Sequence, residues 1–471
     1  MILHELDVPP GVLTRLAAAY PQRYPVLFDS AADGPLSRTS VLVAQPTGAL
    51  WLDGQGHIQA EGVIPPGVIV PGEGFLRALE RWFANDLIAA PERADAADLP
   101  FHGGWAVFLG YEIGGEVEPR LILPRSPGSH AWQAFALRVP CALVYDKLSG
   151  KVRAIAEESA VAALEAVERD ARELAQAGSA ASPTPAPPAV ARIIEEEPTA
   201  YLEKVRRGKE YIRAGDIYQT NLSRRWRVEL EGDADVGRLY ERLRAVNPAP
   251  FAALAQWRGG AVLSSSPERL LRVIGRRIET RPIAGTRPRS LQPGEDAREM
   301  AALAAHPKER AEHIMLIDLE RNDLGRVCEA GTVRVEELMS IESYAHVHHI
   351  VSSVTGTLRP EVTAVDALRA VFPGGTITGC PKFRCMQIIA ELEAEGRGAY
   401  TGSLGLLGRD GSMDFNILIR TMTVAGRAIE FRAGAGIVAD SDPERELEEC
   451  RAKARGLLAV FGATAGTGAA A

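Results

Sequence analysis

Two periodicities of apolar residues run through this chain and divide it into short strands and longer helices. Runs of apolar and β-branched residues bounded by turn signals predict strands at residues 40–44, 141–145, 216–228, 261–265, 270–274 and 427–432. Spacing of three and four predicts helices over residues 73–88, 198–214, 296–319, 363–371, 381–395 and 443–460. In the second of these helices Leu202, Val205, Lys209 and Ile212 fall at helical spacing, and Gly215 stands where a helix ends. No internal repeat of fixed period is visible.

Residues 1–174 read as a mixed α and β region. The stretch AQAGSAASPTPAPPAVAR, residues 175–192, is too rich in Ala, Ser and Pro to bury a core and predicts an exposed, semi-extended linker. Residues 193–462 form a second region that carries most of the motifs, and residues 463–471 read as a flexible tail.

Composition narrows the possibilities. With 46% hydrophobic and 24% charged residues and a net charge of -8, the 471-residue chain has no global attraction for nucleic acid or an anionic membrane. An anionic ligand must therefore meet a local basic site. The five cysteines, Cys141, Cys328, Cys380, Cys385 and Cys450, are scattered without a C-x-x-C pair, which argues against a disulfide framework and a structural zinc site. The N-terminus lacks a signal-peptide pattern and no run of 18 apolar residues occurs, so a cytoplasmic protein is expected.

Several clusters could carry chemistry. Residues 281–289, RPIAGTRPR, combine prolines, a glycine and arginines and predict a rigid turn with backbone donors for an anion, or else a basic surface loop. Glu309 and Glu312 lie one turn apart on a helix that continues into an all-apolar run, so they need an arginine partner or a hard cation. Glu446, Glu449 and Lys453 share one sector of the last helix, either as a solvated charge row or as a metal-plus-anion site. His346 and His348 fall on one side of a strand and His349 on the other, too few on either side for zinc. FPGGTITGCPK has Cys380 where a phosphate loop requires lysine. The small residues Gly434, Ala435 and Gly436 would let a ligand approach the backbone closely.

Taken in order, GDIYQTNLSRR, SSSPERLL, RPIAGTRPR, KERAEHIMLIDLERNDLGRV, FPGGTITGCPK, YTGSLG, GAGIVADS and ELEECRAK resemble the chorismate-utilising enzymes. The resemblance is dense from residue 198 to about 461. It implies an α/β (α+β) fold with two face-to-face β-sheets, helices outside and chorismate with Mg2+ between the sheets. By position, Glu312 and Glu449 would hold the metal, with Glu309 and Glu446 in support. Lys453, Arg420, Tyr400, the backbone of Gly434, Ala435 and Gly436, and Gly285, Thr286 and Thr376 would bind the substrate. Glu268 matches the family's general acid, which protonates the departing C4 hydroxyl, and His349 matches its active-site histidine.

Two positions bear on the choice of reaction. Water-adding members have a lysine where this chain has Gln219, so ammonia is favoured as nucleophile. Aminodeoxychorismate synthases typically carry a lysine where this chain has Ala284, whereas IYQTNLS, NPAPFAAL and GSMDFNILIRT resemble component I of those same enzymes. The expectation is aminodeoxychorismate synthase component I, forming 4-amino-4-deoxychorismate on the route to p-aminobenzoate and folate. The alternatives are anthranilate synthase component I, which Ala284 favours, and a non-catalytic binding subunit. No G-x-C-x-G nucleophile is present, so ammonia is expected from a separate glutamine amidotransferase. Asp29, Ser30 and Phe251 mark a possible amino-acid pocket.

Overall fold

The computed structural model describes residues 1–34, 36–88, 100–126, 132–178, 184–290, 292–343 and 347–463. Two large antiparallel sheets pack face to face, with helices on their outer sides. Between them lies an aromatic layer in which Trp132 meets Phe108 at 4.8 Å and Trp51 meets Trp257 at 5.2 Å, edge to face. Trp132 Nε1 donates to the Trp257 carbonyl at 3.1 Å, tying one sheet to the other.

Each sheet is built partly by residues 1–156 and partly by residues 190–437, joined along a single seam. In the first sheet the seam is Val26–Asp29 against Phe251–Trp257, and in the second it is Gly104–Leu109 against Ser403–Gly408. Outside the first sheet pack the helices Val12–Ala19, Val161–Gln176, Pro198–Arg213, Val236–Val246, Lys382–Glu393 and Pro443–Leu458. Outside the second lie Phe75–Asp86, Pro307–Gly325 and Ala364–Val371. Among the described residues no helix is long and apolar enough to cross a membrane.

Three expectations change. The helix expected at 296–319 is two helices, Pro293–Ala305 and Pro307–Gly325, because Pro307 lacks an N–H and disfavours helical geometry at His306. His306 instead caps the second helix, its Nδ1 accepting from the Glu309 N–H at 3.4 Å. The RPIAGTRPR turn is an edge strand, Ile283–Pro288, paired with Val347–Thr357 and bulged between Ala284 and Thr286, where Gly285 has φ +71°. Its prolines sit where an edge strand tolerates them. Of the 175–192 stretch, residues 179–183 lie outside the described residues, and its last three residues begin the strand Val190–Glu195.

One buried cluster ties the elements that reach the site. Glu393 accepts from both the N–H and the hydroxyl of Ser223, at 2.8 Å and 3.0 Å, and from Arg397 at 2.7 Å and 3.0 Å, with Arg432 at 3.4 Å. Burial alone would raise its pKa, but the two guanidiniums hold it down to about 2. The stability it contributes is therefore present above the ordinary glutamate value and is lost only as the pH falls towards 2. Glu393→Gln takes from buried Arg397 the carboxylate it pairs with and leaves Arg432 only Glu395, and denaturant unfolding at neutral pH should show a loss of about 3–5 kcal/mol.

Candidate functional site

Glu268 stands where the chain crosses from one sheet to the other, just after Gly260–Ser266 and just before Arg269–Ile274. Its carboxyl is buried, with Thr376 Oγ1 donating at 2.8 Å and the Ile283 N–H donating from the edge strand. Burial pushes its pKa up to about 7, against the opposing pull of Thr376, Ile283, Lys453 and Arg420. Such a group is poised to donate a proton near neutrality.

The next residues of the edge strand form the wall beside it. Ala284 is buried, and Thr286 pairs through its backbone with His349. The His349 ring donates to the Gly285 carbonyl, while burial and then the Arg420 charge push its pKa down to about 3. It is a neutral imidazole at physiological pH. A Cβ on Gly285 would lie 2.9 Å from Glu309 Oε2, so the glycine lets the helix carboxylate approach. Two arginines of the motif are engaged elsewhere: Arg281 pairs with Glu342 at 2.5 Å and Arg289 with Asp296 at 2.9 Å. His348 also turns to Asp296, at 2.9 Å, and His346 lies outside the described residues.

The floor is the strand Ala428–Ile437. At one end Gln219 Nε2 donates to Glu312 Oε1 at 2.6 Å, directly over Gly436, where a Cβ would come within 2.2 Å of that nitrogen. The other amide atom, Gln219 Oε1, is buried without a hydrogen-bond partner among the described residues. Two residues back along the strand Lys453 Nζ donates to the Gly434 carbonyl at 3.0 Å and pairs with Glu449 at 2.7 Å. A Cβ on Gly434 would meet the Leu222 carbonyl at 2.6 Å and the Tyr400 hydroxyl at 2.8 Å, and Ala435 between the two glycines is fully buried. Glu446, a turn before Glu449, is buried near the Tyr201 hydroxyl. Burial lowers the pKa of Arg420, and the nearby Glu268 partly restores it.

The chain thus brings Glu268, Thr376, His349, Arg420, Lys453 and Tyr400 together, with Glu312 beside Gly436 and Glu449 linked through Lys453 to Gly434. Asp29, Ser30 and Phe251 lie apart, at the seam of the first sheet. Both Asp29 oxygens are engaged, by Ser40 Oγ at 2.9 Å and by Arg244 Nε at 2.6 Å, and the Ser30 hydroxyl donates to the Thr39 carbonyl at 2.7 Å. The Arg269 guanidinium lies 4.8 Å from the centre of the Phe251 ring. Among the described residues no three His, Cys, Asp or Glu side chains group as a metal site.

Residues 63–459 match the chorismate binding enzyme family. The chain belongs to that family. Among curated relatives it is 43% identical over 366 residues to an anthranilate synthase component I-like protein of Synechocystis, covering 77% of this chain and 73% of the relative. It is 44% identical over 374 residues to anthranilate synthase component 1 of Streptomyces coelicolor, covering 76% and 73%. Anthranilate synthase component I of Streptococcus pneumoniae superposes with a TM-score of 0.76 at 30% identity, over 89% of this chain and 91% of that one. The menaquinone-specific isochorismate synthase of Escherichia coli, at 19% identity and TM-score 0.68 over 98% and 94% of the two chains, shares the fold.

Sequence reasoning missed Glu320 and the Asp323–Lys382 pair, which lie on the far side of Glu268. The signal was available: two more carboxylates, three residues apart, on the same core-entering helix as Glu312. In Gly436→Ala the clash falls on the end of a flexible side chain, so folding should survive while Gln219 is displaced from Glu312. We expect a fall in chorismate affinity of about tenfold with little change in melting temperature, read by calorimetry and thermal unfolding.

Proposed function

We propose that this family member is the synthase component of an anthranilate synthase, converting chorismate and ammonia to anthranilate, pyruvate and water. Ala284 carries the reading: a buried methyl group stands at the wall between Glu268 and His349, where a covalent route through C2 would need an amine. The names of the relatives point the same way. The motif wording that favoured aminodeoxychorismate synthase therefore gives way to the alternative.

On this reading ammonia attacks C2 of the ring while Glu268 gives its proton to the C4 hydroxyl, which leaves as water. Loss of the C2 hydrogen and departure of the side chain as pyruvate then yield the aromatic ring. Neutral His349 contributes as a hydrogen-bonding group beside C4, held by the Gly285 carbonyl. Lys453, Arg420 and Tyr400 receive the substrate's carboxylates, with Thr376 and the edge-strand backbone at Gly285 and Thr286 lining the ring. Gln219, an amide, cannot activate water as a base, in keeping with a nitrogen nucleophile.

The chemistry of the donors suits a hard cation, since beside Glu312 lies a buried amide oxygen, Gln219 Oε1, that no described residue satisfies. Glu312 and Glu449 would hold Mg2+, supported by Glu309 and Glu446. Once bound, the ion would neutralise the ring carboxylate. Ammonia would come from a separate glutamine amidotransferase.

Incubation with chorismate, Mg2+ and ammonium should release anthranilate and pyruvate in equal amounts, and accumulation of aminodeoxychorismate would overturn the assignment. Glu268→Gln should lower kcat by about 10²–10⁴-fold while chorismate still binds. Because Glu268 must be protonated, kcat/KM at a fixed concentration of free ammonia should fall as the pH rises through about 7.

A further inference from the structure

Behind Glu268 the Pro307–Gly325 helix buries a second carboxyl. Glu320 is 5% exposed, and its Oε1 would lie 3.1 Å from a Cβ on Gly375. Gly375 immediately precedes Thr376, whose hydroxyl donates to Glu268 at 2.8 Å. The buried Thr280 hydroxyl, with no other partner among the described residues, points at the same Glu320 carboxyl. Glu268 is near enough for its charge to act on Glu320.

One turn further along the helix, Asp323 accepts from Lys382 Nζ at 2.5 Å, and Lys382 also donates to the Val371 carbonyl at 3.0 Å. Asp323 and Lys382 line a cavity of about 700 Å³, which reaches the surface beside the exposed side chains of Ile314, Asp318 and Tyr218. The groups that face Glu320 are thus Asp323 on its own helix, Lys382 at the start of the Lys382–Glu393 helix, Glu268 at the crossover and Thr280 on the neighbouring strand. Burial first, then Asp323 and Glu268, favour its neutral form, and Lys382 opposes them.

We propose that Glu320 is a positioning residue for the general acid, a buried carboxyl that returns a proton to Glu268 after each turnover and draws its own from the cavity past Asp323 and Lys382. The inference rests on Glu268 acting as the general acid. Once Glu268 has protonated the departing hydroxyl it is a carboxylate. An O–H bond then breaks at Glu320 and forms at Glu268, and water entering from the cavity reprotonates Glu320. The proton taken from solvent is matched by the one that the attacking nitrogen releases.

Glu268 is among the charges that act on Glu320, so ionisation of either carboxyl bears on the proton held by the other. Glu320→Gln keeps the shape and removes the titration. The alkaline limb of kcat should move to lower pH by about one unit, with KM for chorismate within about twofold of the parent. Glu320→Asp, which retains a carboxyl, should bring the limb back towards the parent profile. A superimposable profile in Glu320→Gln, or a loss of kcat by the same factor at every pH, overturns the proposal.

Should Glu320→Gln fail to fold, Glu268→Gln serves instead. A protonated-carboxyl band should persist in its infrared spectrum at neutral pH, and absence of the band overturns the proposal. Amination that survives in Glu268→Gln removes the general-acid reading itself, a result distinguishable from any outcome at Glu320.

Discussion

Glu393 is a carboxylate buried between two guanidiniums, and through them it holds together parts of the chain that are far apart in sequence. Arg397, besides gripping Glu393, donates to the carbonyls of Ile377 and Asn221 and lies over the rings of Tyr111 and Tyr400. Arg432 belongs to the floor strand and reaches Glu395 at 2.6 Å as well. The helix after the FPGGTITGCPK loop, the first-sheet strands and the tyrosine over Gly434 are thereby fixed relative to one another. A buried ion pair adds little net stability over an apolar core of the same shape, but it admits few alternative packings. At this position that restriction keeps Thr376, Tyr400 and the glycine-lined floor in register.

Around that frame, burial assigns the chemistry. It raises the pKa of Glu268 towards neutrality, strips His349 of its charge and lowers the pKa of Arg420, while Lys453 is pushed up to about 12 because Glu449 outweighs its desolvation. A proton donor, a neutral hydrogen-bonding ring and two cations thus share one space. The same low polarity that raises the Glu268 pKa would strengthen the attraction of any anion to Arg420, whereas Lys453 stays open to solvent.

Much of this was legible in the sequence because the site is built from motifs with fixed local roles. SPERL puts a carboxyl at a chain crossover, and Gly434-Ala435-Gly436 leaves room on a strand that the Gln219 and Tyr400 side chains approach closely. The two-sheet architecture followed from resemblance, since short apolar runs do not say which strand neighbours which. Two features escaped for physical reasons. A turn and a bulged edge strand use the same residues, Pro and Gly, so RPIAGTRPR could not be read as pairing with Val347–Thr357 from composition alone. Glu320 is in sequence one more charge on a helix, and its burial involves Gly375 and Thr280 from distant segments.

The two seams have a bearing on how the molecule comes to exist. Every strand of the first 156 residues ends in a sheet whose other half lies after residue 190, and the joining pairs, Asp29 with Ala252 and Leu109 with Ser403, are separated by more than two hundred residues. Neither half can close its sheet edge before the other has been made. Contacts so distant along the chain impose large loop-closure costs before they return any stabilisation, which makes such folding slow. During synthesis the early strands would wait with open edges until the late ones arrive, a state that invites pairing with other chains. For a ribosome-bound intermediate of this protein, the exposed edges at Val26–Asp29 and Gly104–Leu109 are the places a chaperone has most reason to cover.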